Sequence, residues 1–312
     1  MNETNDQARL RIKAAAPDWF HQAIARQGQS RRVTVEGCPI HYLSWRDRAA
    51  PSDRGGILFV HGGGAHAHWW SHIAPFFADD FRVAAMDLSG MGDSGNRTAY
   101  DASLRAAEMR GVIADAGLGP RPFVVGHSFG GYMSMRLASQ YGDELGGVVI
   151  VDSPIRSPEE EAARKRRPGP MGGGRTYADF ESAVARFRLR PRQPCDNRYI
   201  VEFIARHSIK QVADGWTWKF DTKALGARRF GEPFHEYLEA ARCRSALFFG
   251  ENSALVSYRT ASYMSGLMGP EAPIVAIPGA HHHVMLDQPL AFVAALRTLL
   301  DGWLRADSTA PG

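Results

Sequence analysis

The chain has 312 residues, 44% of them hydrophobic and 22% charged. That suits one large α/β domain, or a core domain carrying an insertion, and excludes wholesale disorder. A formal net charge of +4 is too small at this length to argue for a nucleic-acid partner. Cys38, Cys195 and Cys243 form no CxxC pair and suggest neither a zinc site nor a disulfide framework, so a reduced, cytoplasmic chain is the expectation. The amino-terminal stretch is polar with no apolar h-region, and no apolar run approaches the roughly 18–20 residues of a bilayer span, so no membrane attachment is expected.

In chain order, residues 1–29 read as an N-terminal arm or short helix carrying the aromatic pair Trp19-Phe20. Arg31 to Trp45 reads as a hairpin turned at Gly37-Cys38-Pro39. Short apolar runs follow at Ile57–Val60, Val83–Met86, Phe123–Val125, Val148–Val151, Ala246–Phe249 and Ile274–Ile277. Continuous runs of this length fit strands buried on both faces of a mostly parallel sheet. Helical stretches lie between most of them. Ser103–Ala116 places Leu104, Ala107, Val112, Ile113 and Ala116 on one face, and Phe129–Tyr141 and Leu290–Leu304 also read as helices. The alternation predicts an open α/β sheet, on which ligands bind beyond the carboxyl ends of the strands.

Residues 154–240 break the pattern. They contain no long apolar run, are rich in Arg, Pro, Gly and aromatics, and are too long for a plain loop. They predict an inserted, mainly helical cap, leaving 30–153 and 241–305 as the core. The cap holds Arg156, Arg164, Arg166, Arg167, Arg175, Arg186, Arg188, Arg190, Arg192, Arg198 and Arg206. Most belong to a solvated face, and one or two turned inward would match a substrate carboxylate. Tyr177, Phe180, Trp216, Trp218 and Phe220 are either cap core or pocket wall.

Three segments carry chemistry. Gly126-His-Ser-Phe-Gly130 follows an apolar run and precedes a helical stretch, the strand–turn–helix context of a G-x-S-x-G nucleophile elbow, with Ser128 as the candidate nucleophile. His61-Gly-Gly-Gly64 follows the first core strand, where glycines let backbone N–H groups face a developing oxyanion. Gly63 and Phe129 are the candidate donors. Pro278 to Pro289 contains three adjacent histidines, one of which must serve as base, because serine is a weak nucleophile until a neighbour takes its proton. Such a run is also a candidate metal site. Consecutive residues do not all face one ion, however, and no other ligand cluster is in view, so neither metal nor organic cofactor is expected.

With these motifs the chain resembles α/β-hydrolase-fold enzymes, in the branch that includes epoxide hydrolases, haloalkane dehalogenases and small esterases. The resemblance covers about 30–153 and 241–305, through His61-Gly-Gly-Gly64, Asp87-Leu-Ser-Gly-Met-Gly-Asp-Ser94, the serine elbow and the histidine segment. It implies that His282 is the base, by spacing to Asp287-Gln-Pro289, with His281 and His283 flanking it. Serine at the elbow argues against epoxide and dehalogenase chemistry, which uses aspartate there. The usual acid position, after the penultimate strand, reads Gly250-Glu-Asn-Ser253 and has serine where aspartate is expected. Some members of the family place the acid one strand earlier, which implies Asp152; Glu251 is the alternative. Asp87 and Asp93 are expected to hold loops, and Trp69 or Trp70 either lines an acyl pocket or fills the core. The implied activity is hydrolysis of a small carboxylic ester, an anionic half-ester being one candidate. A lactonase or C–C bond hydrolase with the same residues, and a slow-turnover ligand receptor, are the alternatives.

Overall fold

The computed structural model describes residues 16–45, 54–163, 175–225 and 232–309. Arg164, Arg166, Arg167 and most of the amino-terminal arm lie outside them. Helix α1 (Asp18–Ala25) and strands β1 (Gln29–Val35) and β2 (Cys38–Trp45) open the chain. Strands β3 (Gly56–Val60), β4 (Arg82–Met86), β5 (Phe123–His127) and β6 (Gly147–Val151) follow, with helices α2 (Ala102–Asp115) and α3 (Phe129–Tyr141) between the later ones. After an intervening segment come β9 (Ser245–Gly250), α8 (Tyr258–Met268), β10 (Ile274–Ile277), α9 (Val284–Asp287) and α10 (Pro289–Thr309).

The strands form one sheet in the order β1-β2-β4-β3-β5-β6-β9-β10. β1 and β2 pair antiparallel with each other, and β2 pairs antiparallel with β4. The remaining pairings are parallel. The six apolar runs are the six parallel strands, and alternation within them divides the core. On β3, Ile57 and Phe59 pack into one cluster with Phe292 and Leu296 of α10. Leu58 and Val60 pack into the other, with Met109 of α2 and Met133 of α3. Helices therefore cover both faces, as a parallel sheet requires. β3 lies between β4 and β5, so the chain runs outward in one direction from β3 to β4 and in the other from β5 onward. The loop after β5 thus leaves the sheet where the winding reverses, the usual site of a binding crevice.

One expectation is corrected and one is refined. The buried face of α2 is Ala102, Arg105, Ala106, Glu108, Met109 and Val112, not the one set by Leu104 and Ala107. Glu108 is buried because the Arg97 Nε–H donates to it at 2.8 Å, so a charged pair occupies a face that an apolar pattern assigns to hydrophobic residues. The segment between β6 and β9 is not simply helical. It carries α4 (Pro158–Ala163), α5 (Phe180–Val184), α6 (Arg198–His207) and α7 (Phe234–Glu239), and also a hairpin of β7 (Ile209–Val212) and β8 (Gly215–Trp218). Among the described residues, no helix is long and apolar enough to cross a membrane.

Candidate active site

Ser128 stands between β5 and α3 with φ 52° and ψ −113°, a left-handed conformation that a serine adopts only when its surroundings enforce it. The enforcement is local. The Ser128 N–H donates to the Val151 carbonyl at the end of β6, 2.8 Å away. A Cβ on Gly126 would come within 2.5 Å of the Gly130 carbonyl oxygen, and one on Gly130 within 2.6 Å of the His61 carbonyl oxygen. Only glycines let helix and strands approach this closely. His127 and Phe129 are buried while Ser128 is half-buried, so the turn lifts the serine between two anchored neighbours.

Asp152 follows β6 and is fully buried, also at positive φ. His282 Nδ1–H donates to Asp152 Oδ1 at 2.8 Å. The same oxygen accepts the Ser253 hydroxyl at 2.7 Å, and Oδ2 accepts the Gly250 N–H at 2.9 Å. A buried carboxylate needs such donors in place of water. Ser253, occupying the position where an acid is expected, therefore binds the acid from the neighbouring strand. Glu251 is exposed and accepts the Gly279 N–H at 3.0 Å. The bond to Asp152 fixes the His282 proton on Nδ1 and leaves its Nε2 as a lone pair. Asp287 takes the backbone N–H of His281 at 2.8 Å and the Gln193 side-chain amide, and so clamps the histidine loop.

The glycine loop after β3 turns tightly, with the Ala65 N–H on the Gly62 carbonyl at 3.2 Å. A Cβ on Gly62 would lie 3.4 Å from Ser128 Cβ, so this loop runs directly against the turn that carries Ser128. The Gly64 N–H is occupied by Met91 Sδ at 3.4 Å. Among the described residues no protein acceptor takes the Gly63 N–H, and Phe129, as the first residue of α3, has no partner within its helix for its own. The loop is held from below. His61 Nδ1–H donates to the Gly62 carbonyl at 2.7 Å, and its Nε2 accepts the Leu88 N–H. Asp87 accepts from His41 Nδ1, the Ala67 N–H and the Asp93 N–H, so it works as a clasp between loops. Burial opposes its charge, but His41 and the nearby histidines hold its pKa below the usual carboxylate range.

Trp70 is buried and stacks on Phe59, whereas Trp69 borders His127 and His283. Tyr177, Phe180, Trp216 and Trp218 pack on one another and on Phe187 around the hairpin. Among the described arginines of the inserted segment, Arg175, Arg186, Arg188, Arg190, Arg192 and Arg198 are exposed. Arg206 is taken by Glu181 and Glu202, and Arg156 by the Leu255 carbonyl. The cation beside the Ser128 turn is instead Arg105 of α2, which the motifs of the sequence do not single out. It is buried, its guanidinium lies 4.9 Å from the Phe129 ring centre, it donates to the Ala224 carbonyl of the inserted segment, and among the described residues its Nη1 has no hydrogen-bond partner. A groove of about 320 Å³ lined by Gly119, Pro120, Pro122 and Tyr141 lies at the amino end of β5, away from Ser128.

Comparison with known proteins places this geometry. Residues 57–296 match the alpha/beta hydrolase family. The chain is 26% identical over 260 residues to the esterase Rv0045c of Mycobacterium tuberculosis, covering 78% of this chain and 82% of that protein. It is 28% identical over 251 residues to the 2-(acetamidomethylene)succinate hydrolase of Mesorhizobium japonicum, covering 78% of this chain and 87% of that protein. A crystal structure of E-2-(acetamidomethylene)succinate hydrolase superposes with a TM-score of 0.73 at 24% identity, over 88% of this chain and 99% of that one, and so shares the fold.

Proposed function

The chain belongs to the alpha/beta hydrolase family and is a hydrolase, and from that premise we propose that it is a serine esterase acting on a small carboxylic ester through Ser128, His282 and Asp152. The Ser128 hydroxyl attacks the ester carbonyl as His282 Nε2 takes its proton. Asp152 accepts the Nδ1–H, keeps the imidazole in the required tautomer and stabilises the imidazolium. The N–H groups of Gly63 and Phe129 receive the oxyanion of the tetrahedral intermediate. His282 then gives its proton to the leaving alcohol, and water, activated by the same ring, releases the acid from the acyl enzyme. Residues 154–240 serve as a cap over this site.

The observation that carries the reading is the 2.8 Å bond from His282 to a fully buried Asp152, beside a serine held at φ 52°. The finer reading, an ester whose acid part bears a second carboxylate, draws support from Arg105, a buried guanidinium with a free Nη1 stacked on Phe129. It is also supported by a relative named 2-(acetamidomethylene)succinate hydrolase, the succinate part of that name denoting two carboxylates. Turnover of p-nitrophenyl acetate together with fluorophosphonate labelling tests the proposal. Steady turnover after a burst and an adduct on Ser128 are expected, and a receptor would give the burst without the turnover. Ser128→Ala should lower kcat by a factor on the order of 10⁴ or more. Activity within tenfold of the parent would end this reading.

A further inference from the structure

Sequence spacing gives no hint that the elbow histidine joins the histidine loop. His127 and His282 are 155 residues apart, with His283 next in the chain, yet the three rings meet. The ring centres of His127 and His282 are 4.7 Å apart, those of His282 and His283 4.8 Å, and those of His127 and His283 5.4 Å. One ring nitrogen from each lies within 4.8 Å of the other two. All three side chains are almost completely buried.

The hydrogen bonds around the rings decide which nitrogens carry protons. His127 Nε2 donates to the His282 carbonyl at 3.0 Å, so its Nδ1 is a bare lone pair, and that atom is buried without a partner. His282 Nδ1 donates to Asp152, which leaves Nε2 bare. Among the described residues neither ring nitrogen of His283 has a partner in hydrogen-bond geometry, though the Pro191 backbone acts on the ring. The group is therefore three imidazoles, one backed by a carboxylate and one by a carbonyl, the outer partners that metal-binding histidines use. Polar atoms left unpaired in a buried place are an unfavourable arrangement that a cation would relieve.

We propose that His127, His282 and His283 form an inhibitory site for a borderline transition-metal ion such as Zn²⁺. Zinc binds imidazole nitrogen at about 2.0–2.1 Å in tetrahedral sites, three protein ligands leaving one position for water or an anion. The His283 ring packs against Trp69, His127 and His282, so its nitrogens already lie beside the other two imidazoles. The inhibition rests on the proposed role of His282 as base, because an ion on Nε2 removes the lone pair that takes the serine proton. The second group of ligand type, His41, Asp87 and Asp93, is less suited, since Asp87 already accepts three hydrogen bonds.

Calorimetry and esterase assays on the full chain, with Zn²⁺ as the probe and Mg²⁺ as control, test the site. One Zn²⁺ should bind per chain, activity should fall as it binds and return with a chelator, and Mg²⁺ should do neither, hard cations preferring oxygen ligands. His283→Phe keeps an aromatic ring beside Trp69 and should leave metal-free activity unchanged while weakening both binding and inhibition by more than about tenfold, even outer partners of such sites being worth about 10–100-fold. His127→Gln, which keeps a donor for the His282 carbonyl, should weaken binding likewise and serves if His283→Phe does not fold. Zn²⁺ inhibition unchanged in both variants would overturn the site, as would failure of the active parent to bind the ion. Binding that depends on His283 but leaves ester hydrolysis untouched would overturn the inhibition by removing His282 from its role as base.

Discussion

In the sheet and the loops at its carboxyl edge, charged groups are buried and each is held by a particular partner. In the segment between β6 and β9 most described arginines sit at the surface, and Arg206 is held by two carboxylates of the same segment. The pair Arg97–Glu108 has side-chain exposures of 9% and 0%, and Arg97 also ties down the carbonyls of Val35 and Glu36. The pair Arg206–Glu181 has exposures of 23% and 36% and joins two short helices of the insertion. The first kind of contact fixes loop positions because moving it would strand a charge in the interior. The second is easily exchanged. Contacts of the fixed kind, which chemistry needs, are therefore better represented in the core than in the insertion.

The largest effect that would break this division is at the acid. Asp152→Asn should lower kcat by about 10⁴, by analogy with the same change in a serine protease, while Glu251→Gln should leave the rate near the parental value. Steady-state kinetics on both variants decides, and a dead Glu251→Gln with an active Asp152→Asn would reverse the assignment. Next comes Arg97→Ala. It leaves Glu108 buried with the Ser89 N–H as its remaining partner, and removing one member of a buried pair costs about 3–5 kcal/mol. Nearby Arg105 still offsets part of the charge, so about 3 kcal/mol is expected in urea unfolding.

Ser253→Ala should have a smaller effect and a distinctive one. Its hydroxyl donates to the oxygen of Asp152 that also receives His282. A hydrogen bond to a charged group contributes about 1.5–3 kcal/mol, so losing it should reduce kcat about tenfold through misorientation of His282. KM should not change, because Ser253 would act on the base and not on substrate. Ser253→Thr keeps the hydroxyl and should restore the rate. A rise in KM with kcat intact would remove Ser253 from this role.

How much of this is legible in the sequence follows the same division. The six parallel strands show as continuous apolar runs because both faces of each are buried, and Ser128 shows because its glycines are demanded by contacts as close as 2.4 Å. Asp152 could be suggested from its place at a strand end. That Ser253 would bind it could not, since the partners are 101 residues apart and a serine has many uses. Arg105 and Glu108 turned the face of α2 away from the apolar pattern, because tertiary pairing outweighed periodicity. The β7–β8 hairpin was hidden for a related reason. Its strands are four residues each and half-exposed, and Trp216 and Trp218 are stabilised by Phe180, Phe187 and Tyr177 and not by an alternating pattern.

The smallest expected effect lies in the insertion. Arg206 of α6 donates to Glu181 and to Glu202 at 3.0–3.1 Å, and its guanidinium carbon lies 5.7 Å from the Phe180 ring centre. These ion pairs raise the Arg206 pKa even though burial alone would lower it. Partly exposed pairs contribute about 0–1 kcal/mol, because solvent screens them and the side chains lose freedom. Arg206→Ala should therefore lower stability by less than about 1 kcal/mol in urea unfolding, with kcat unchanged. Raising salt to 1 M, where the screening length falls to about 3 Å, should shrink even that difference between parent and variant. The corresponding difference for Arg97→Ala should persist, because Glu108 has no contact with solvent for the salt to act through. If Arg206→Ala instead destabilised the chain as strongly as Arg97→Ala, the insertion would share the core's rigid construction, and a geometry fixed by its own charges would have to be sought there.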